Sequence, residues 1–237
     1  MPKSQAKLGE AIEIQGQLER PAATVYRGRF VTLEPIDADG HAHGLYQASH
    51  HCPEAEAVWT YLPMSGPFRD VDEMRAWLQQ CQEHPDFIFF AVRHIQTGQL
   101  VGMVSFVNIE PHMHRLEVGF IWYNPQFQKT NVNTESVYLL LCEAFDHLGY
   151  RRVEWKCDSL NQASRKAALR LGFCFEGVFR KHMIVNGRNR DTAWFAMTDD
   201  DWKRVKPNYL RWLYENEGDL SLTELNSSML FASLAMI

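Results

Sequence analysis

The stretch LEVGFIWYNPQFQKTNVNTESVYLLL, from Leu116 to Leu141, decides the fold because its hydrophobic period changes along its length. The first part alternates apolar with other side chains, which predicts a strand. The alternation places four apolar side chains on one face: Leu116, Val118, Phe120 and Trp122. After a loop, apolar side chains recur at helical spacing as far as Leu148 and predict a helix that begins near Thr134. A loop that leads from a strand into a helix is a place where backbone amides can bind phosphate.

The segments before this stretch predict strands and two helices. Apolar and polar side chains alternate in RGRFVTLEPI (27–36), and DFIFFAVRHI (86–95) and QLVGMVSFVNIE (99–110) are two further segments with the period of strands. One helix is predicted after Asp37 and another after Asp70, each at a residue that favours helix starts. The connection QTGQ is short and contains glycine, as in a hairpin. Three consecutive strands up to Tyr123 therefore predict an antiparallel meander.

The segments after the stretch continue to alternate between strands and helices. RRVEWKCDSL (151–160) predicts a strand and NQASRKAALRLG (161–172) a helix. FCFEGVFRKHMIV (173–185) and NRDTAWFAMT (189–198) predict a hairpin that turns at NGR. A last helix is predicted from Asp199 to Tyr214. The order of elements predicts an α/β (α+β) fold with a mixed, largely antiparallel sheet flanked by helices.

Length and composition limit the class of protein. A chain of 237 residues with a net charge of −5 fits one large domain, and it lacks the basic excess of most nucleic-acid binders. We assign residues 23–214 to the folded domain, residues 1–22 to a flexible extension and residues 215–237 to a tail. The five cysteines are scattered without a C-x-x-C pair, which disfavours a disulfide framework and a zinc site. Because the N-terminus has no apolar signal core and the apolar end is too short to span a bilayer, we expect a cytoplasmic protein without a membrane partner.

The loop between the strand and the helix contains no glycine, although loops that hold phosphates often do. Asparagine is the residue that best replaces glycine in the left-handed region, and the loop supplies Asn131 and Asn133. Thr130 and Thr134 add hydroxyl donors, and Lys129 adds positive charge. The alternative that Asn133 or Thr134 only caps the helix stays open, since both residue types are common caps.

From about Gly28 to Trp202 the chain resembles the GNAT superfamily of acyl-CoA-dependent N-acetyltransferases, most closely its RimJ/RimL-like branch. The resemblance is carried by residues 116–173 and by the segments EGVFRKHM and GRNRDTAWFAM. It implies the mixed sheet of a GNAT fold and acetyl-CoA as co-substrate, without a metal. It also implies a primary amine as acceptor, either on a small molecule or at a protein N-terminus.

The resemblance further implies which residues hold the coenzyme. The pantetheine arm would contact the strand at Phe120, Ile121 and Trp122. The family's Q/R-x-x-G-x-G/A pyrophosphate loop has lost both glycines here and reads Gln128, Lys129, Thr130, Asn131, Val132 and Asn133, followed by Thr134. Asn161 would contact the pantetheine amides, with Ser164 and Arg165 near the coenzyme. From the residues alone, Asn161 is also a good helix cap.

Glu117 is the candidate general base. It projects from the strand between Arg115 and Gly119, and the resemblance implies that a glutamate there accepts the amine proton, often through water. The alternative from periodicity alone is a cross-strand ion pair on a solvated face.

Ser159 and Asp158 lie near the end of the 151–160 strand and are the candidates for the acid that would reprotonate the leaving thiolate, with Ser159 as the first choice. The helix that follows lacks the tyrosine that many relatives use for this step. A thiol with a pKa near ~8.5 can also leave without an acid at neutral pH. The resemblance places His182 where it could line the acceptor cleft, and the aromatic loop from Trp59 to Phe68 either walls that cleft or packs in the core.

A second function remains open from the same observations. The missing glycines and the missing tyrosine also fit a non-catalytic acyl-CoA-binding regulatory module. The apolar end SSMLFASLAMI needs cover on its own domain or on a second subunit, so a homodimer is a further expectation.

Overall fold

The strands of the described residues form one mixed sheet of eight. The computed structural model describes residues 8–12, 16–63, 66–215 and 221–226. The strands are β1 (Tyr26–Arg27), β2 (Val31–Pro35), β3 (Ile88–His94), β4 (Leu100–Glu110), β5 (Arg115–Tyr123), β6 (Arg152–Asp158), β7 (Cys174–Val185) and β8 (Arg188–Thr198). Their order across the sheet is β1-β2-β3-β4-β5-β6-β8-β7.

Helices lie between and after these strands. Within the described ranges they are α1 (Ala38–His50), α2 (Pro53–Glu56), α3 (Val71–Gln82), α4 (Asn131–Leu141), α5 (Gln162–Arg170), α6 (Asp199–Leu210) and α7 (Leu222–Leu225). Short π-helical segments extend α4 over Cys142–His147 and α6 over Arg211–Glu215. No helix in the described part of the chain is both long and apolar enough to cross a membrane. The predicted mixed fold and its meander are confirmed.

The sheet opens between β5 and β6. These two neighbours are parallel, whereas the other neighbouring strands pair antiparallel. Their pairing covers only Arg115–Glu117 of β5 and residues 152–154 of β6. The later residues of the two strands are not paired with each other, which leaves a gap in the middle of the sheet.

A β-bulge in β5 overturns the predicted face of this strand. Met103 of β4 lies opposite Trp122, but Ser105 lies opposite Gly119, so β5 carries one extra residue between the two pairs. Phe120 takes up the distortion with a φ of 49°. Leu116 and Val118 consequently pack in one core, with α4 and β6, while Phe120 and Trp122 contact the other core, with α1 and α3. The prediction of one shared face was wrong because a bulge shifts the two-residue period by one.

The first predicted strand is split in two. The carboxylate of Glu135 on α4 accepts hydrogen bonds from the amides of Arg29, Phe30 and Val31, at 2.7–2.8 Å. This turn separates β1 from β2, and the missing side chain of Gly28 makes room for the carboxylate, since a Cβ there would lie 2.4 Å from Glu135 Oε2. The segment could not continue as one strand, because these amides bond to a helix instead of a neighbouring strand.

The ends of the chain are described only in part. Within the predicted extension, the carbonyl of Glu19 accepts a hydrogen bond from the Tyr150 hydroxyl at 3.1 Å. Within the predicted tail, Leu222 and Asn226 are buried, and Asn226 Nδ2 donates to the carbonyl of Arg170 at 3.1 Å. The apolar end from Ser227 onward, on which the homodimer expectation rests, lies outside the described residues.

Candidate active site

A cavity of about 640 Å³ lies at the gap in the sheet. Residues 118–121 of β5 and 155–157 of β6 line it from the two separated strands. Further walls come from residues 61–63, from the start of α5 and from residues 182–186 at the tip of the β7–β8 hairpin. The cavity is therefore built where the fold leaves backbone and side chains of two central strands accessible.

Glu117 lies on the cavity wall, although it is only 7% exposed. Its Oε2 accepts a hydrogen bond from Asn108 Nδ2 at 2.6 Å and forms an ion pair with Lys156 Nζ at 2.9 Å. Both contacts use Oε2. Among the described residues, Oε1 accepts no hydrogen bond and remains available as an acceptor. The predicted ion pair exists, but it is buried at the cavity instead of lying on a solvated face.

Lys156 connects Glu117 to a second buried carboxylate. Its Nζ lies 2.8 Å from Glu154 Oε2, and Arg152 Nε lies 2.9 Å from Glu154 Oε1. Burial acts to raise the pKa of the Glu154 carboxyl, but the contacts with Lys156 and Arg152 outweigh it and hold that pKa below its ordinary value of 4.5. The Lys156 ammonium also lies 4.0 Å from the centre of the Trp194 ring. This network fixes the position of Lys156 and, through it, of Glu117.

Three of these site residues were missed by sequence reasoning: Asn108, Lys156 and Trp194. Asn108 adopts a φ of 47° at a second register shift between β4 and β5. The asparagine type favours that conformation, but it does not indicate a contact with Glu117. Lys156 and Trp194 are neighbours because β6 pairs with β8, a pairing that no local pattern reveals.

The loop before α4 turns through a different residue than predicted. The helix begins at Asn131, with Thr130 as its cap, whose hydroxyl accepts from Val132 N at 3.2 Å. The left-handed residue is Lys129, with a φ of 60°, so the expectation that an asparagine supplies the turn was wrong. A helix start three residues earlier than predicted puts both asparagines in the first helical turn, where helical φ values are required.

Four residues of this predicted loop occupy distinct positions. Gln128 Nε2 donates to the carbonyl of Tyr123 at 3.0 Å, which ties the loop to the end of β5. Val132 is fully buried. Asn133 Oδ1 is buried without a hydrogen-bond partner among the described residues. Thr134 is buried and its hydroxyl accepts from Arg170 at 2.9 Å, so it belongs to the interior and not to the helix mouth.

The residues predicted around α5 divide into two groups. Asn161 and Ser164 line the cavity, and Asn161 also caps the helix by accepting from Ser164 N at 3.0 Å. Trp155 Nε1 donates to Ser164 Oγ at 3.0 Å. Arg165 and Ser159 are not among the cavity-lining residues; Arg165 instead donates to the carbonyl of Ser159 at 3.1 Å. The structure thus gives the Ser159 hydroxyl no place beside Glu117.

Phe120 and Ile121 line the cavity, whereas Trp122 is buried in the core beside Trp59. His182 lines the cavity as well, and its Nδ1 lies 2.9 Å from Thr192 Oγ1. Within the described ranges, no group of three or more His, Cys, Asp or Glu side chains is arranged to hold a metal ion.

Comparison with known proteins identifies the family of the chain. Residues 31–174 match the model of the acetyltransferase (GNAT) domain, which is more than half of the chain. The chain belongs to the GNAT acetyltransferase family. The resemblance to this family is confirmed, because the matched residues include the strand, the loop and the helix of residues 116–141.

Solved structures of this family share the whole architecture. A GCN5-related N-acetyltransferase from Brucella melitensis is 37% identical, with a TM-score of 0.85, and the match covers 89% of this chain and 97% of that one. The GNAT fold of the chain is therefore present over nearly its full described length.

Curated relatives match a shorter part of the chain. A Bacillus subtilis protein provisionally named a ribosomal N-acetyltransferase is 29% identical over 109 residues, which cover 46% of this chain and 59% of the relative. The ribosomal-protein-serine acetyltransferase of Escherichia coli is 28% identical over 102 residues, covering 43% of this chain and 56% of that protein. The chain thus spans less than two thirds of these GNAT relatives.

Proposed function

We propose that this GNAT protein transfers an acetyl group from acetyl-CoA to a primary amine by direct attack. The observation that carries the proposal is the position of Glu117, a buried carboxylate with an accessible Oε1 at the cavity between β5 and β6. The family membership supports the acetyl donor. The amine can belong to a small molecule or to the N-terminus of a protein.

The N-terminus of α4 would hold the diphosphate of acetyl-CoA. The first turn of a helix carries amides without intrahelical partners, and the helix dipole adds positive potential there. Lys129 lies two residues before the first helical residue and is exposed, so its charge can approach the same anion. Asn161 and Ser164, at the start of α5, would contact the pantetheine arm where it enters the cavity.

Glu117 would accept the proton that the amine loses. Acetyl-CoA supplies the acetyl group: the new bond joins the amine nitrogen to the carbonyl carbon, the carbon–sulfur bond breaks, and the thiolate leaves. Asn108 and Lys156 hold Glu117 Oε2, so Oε1 is the oxygen that can face the acceptor. A Cβ at position 119 would lie 3.1 Å from Val107 Cγ2 and 3.4 Å from Oε1, so glycine leaves the space beside this oxygen unfilled.

The leaving thiolate needs no dedicated acid in this scheme. Ser159, the first candidate, does not line the cavity, and a thiolate of pKa near ~8.5 is stable enough to leave at neutral pH. Buffer protons would complete the reaction after release.

A protein N-terminus suits this site better than a lysine side chain. An α-amino group with a pKa near ~7.7–8.0 is neutral in roughly one molecule in ten at pH 7, whereas a lysine near ~10.4 is neutral in fewer than about one in a thousand. The Escherichia coli relative is named for acetylation of a ribosomal protein. Peptide N-termini are therefore the first acceptors to test, alongside small primary amines.

The test compares Glu117→Gln with wild type over a panel of peptides and amines. Loss of a general base should lower kcat by about 10²–10⁴-fold while acetyl-CoA affinity, measured by calorimetry, stays unchanged. Glu83→Gln, at an exposed glutamate on the C-terminal end of α3, is the matched control. Acetyl-CoA binding without transfer to any acceptor in wild type would instead identify a non-catalytic acyl-CoA-binding module.

A further inference from the structure

Arg190 on β8 is a buried cation that faces the cavity, and the described residues supply it with no counter-ion. It is 8% exposed and belongs to the cavity wall. Its Nε is buried and has no hydrogen-bond partner among the described residues. A buried guanidinium carries five donors and is costly to leave unsatisfied, so its place is normally beside an acceptor.

The other cations of the cavity wall are compensated. Lys156 pairs with Glu117 and Glu154, and Arg115 pairs with Glu110. For Arg190, the described residues provide no carboxylate within 4.0 Å. Among the described residues of the wall, Arg190 therefore carries a positive charge that no neighbouring carboxylate balances.

A second unsatisfied donor lies on the same strand. Trp194 lines the cavity four residues after Arg190, and its buried indole N–H also lacks an acceptor within the described ranges. Side chains two and four residues apart project from the same face of a strand. Both donors therefore project from the face of β8 that carries the cavity.

We propose that Arg190 recognises a carboxylate on the acceptor, which makes the acceptor an amine with a distant negative charge. This inference rests on the proposed acetyl transfer. The Cα atoms of Arg190 and Trp194 are roughly 13 Å apart along β8 at ~3.3 Å per residue, and Trp194 contacts the Lys156 that holds Glu117. The first acceptors to test therefore carry the carboxylate away from the amine, as an extended peptide with an acidic side chain or a long ω-amino acid does.

The experiment uses peptides with a free N-terminus, an amidated C-terminus and a single aspartate moved from position two to position five. Each has an asparagine counterpart, so that the carboxylate is the only difference. A parallel set of long ω-amino acids and their amides tests the small-molecule source of the same group. Binding is measured by calorimetry on protein saturated with CoA, and turnover is measured with acetyl-CoA.

Wild type should prefer the acidic member of at least one pair by about tenfold or more in affinity. Arg190→Gln should abolish this preference and leave binding of the neutral members and of CoA unchanged, and Arg190→Lys should restore part of it. Arg188→Gln, at an exposed arginine two residues earlier on the same strand, should behave as wild type.

Two results would overturn the inference. One is an equal affinity for acidic and neutral members in wild type. The other is a loss of CoA affinity in Arg190→Gln, which would assign the arginine to the coenzyme. Carboxylate-dependent binding without any turnover would contradict the proposed acetyl transfer but leave the role of Arg190 supported.

Discussion

Cys157 is a potential nucleophile at the cavity, and its environment argues against a covalent route. It is buried on β6, and burial raises the pKa of its thiol above the ordinary value of 9.0. A thiol held in its neutral form is a poor nucleophile, so direct attack by the acceptor amine is the simpler path.

Cys157→Ser should therefore keep kcat within about threefold of wild type, since the substitution only replaces the sulfur atom by oxygen. The wild-type protein should show no acetylated enzyme when incubated with acetyl-CoA alone, as measured by intact-protein mass spectrometry. An acetyl adduct on Cys157 that disappears on addition of an amine would contradict direct transfer.

Glu154, which lies beside the site, makes the free energy of unfolding depend on pH. Its folded pKa lies below 4.5, so the carboxylate contributes stability above pH 4.5, and this contribution is lost as the pH falls through the folded value. Glu154→Gln should be less stable than wild type by about 3–5 kcal/mol at pH 7, because Lys156 and Arg152 lose a buried partner. Denaturant unfolding at several pH values should show this difference shrinking below pH 4.5; a difference that is constant with pH would contradict the assignment.

At the scale of elements, the first turn of α4 is the proposed diphosphate site, and one substitution tests its backbone. Asn131 is the first helical residue, a position where proline fits, and Thr130 before it has the extended conformation that a following proline requires. Asn131→Pro therefore removes one amide donor and leaves the helix intact.

We expect Asn131→Pro to bind acetyl-CoA at least tenfold more weakly than Asn131→Ala, since a hydrogen bond to a charged group contributes ~1.5–3 kcal/mol. Both variants lack the asparagine side chain, so calorimetry on the pair isolates the amide. Equal affinities in two proteins with equal melting temperatures would place the diphosphate elsewhere.

The second turn of α4 stabilises the N-terminal edge of the sheet through Glu135. Its fully buried carboxylate accepts from three amides of the 29–31 turn and from the Tyr214 hydroxyl at 2.8 Å. Replacing it with glutamine leaves donors without acceptors at about 1–3 kcal/mol each. Glu135→Gln should lower the free energy of unfolding by at least ~2 kcal/mol, measured with denaturant, while Glu83→Gln changes it by less than ~0.5 kcal/mol.

At the scale of the whole molecule, hydrophobic period was sufficient to predict most elements. Periods of two and 3.6 in the sequence predicted the strands between Ile88 and Tyr123 and the helices α3 and α4, and the structure has them close to the expected places. The period did not predict which face of β5 the side chains after the bulge occupy. An inserted residue exchanges the two faces of a strand without changing its composition.

The site was less predictable than the fold. Glu117 and Asn161 were found through the family resemblance, and the structure places both at the cavity. Lys156 and Arg190 were not found, because their roles depend on which strands are neighbours and on which charges lack partners, and neither property is local in sequence. The turn at Lys129 was missed because a lysine gives no signal for the left-handed conformation.

The most direct test of the account is a calorimetric titration of the wild-type chain with acetyl-CoA. The account predicts saturable binding of one acetyl-CoA per chain, since the amides at the start of α4 can hold the diphosphate without the usual glycines. The absence of saturable heat up to millimolar acetyl-CoA would contradict the account.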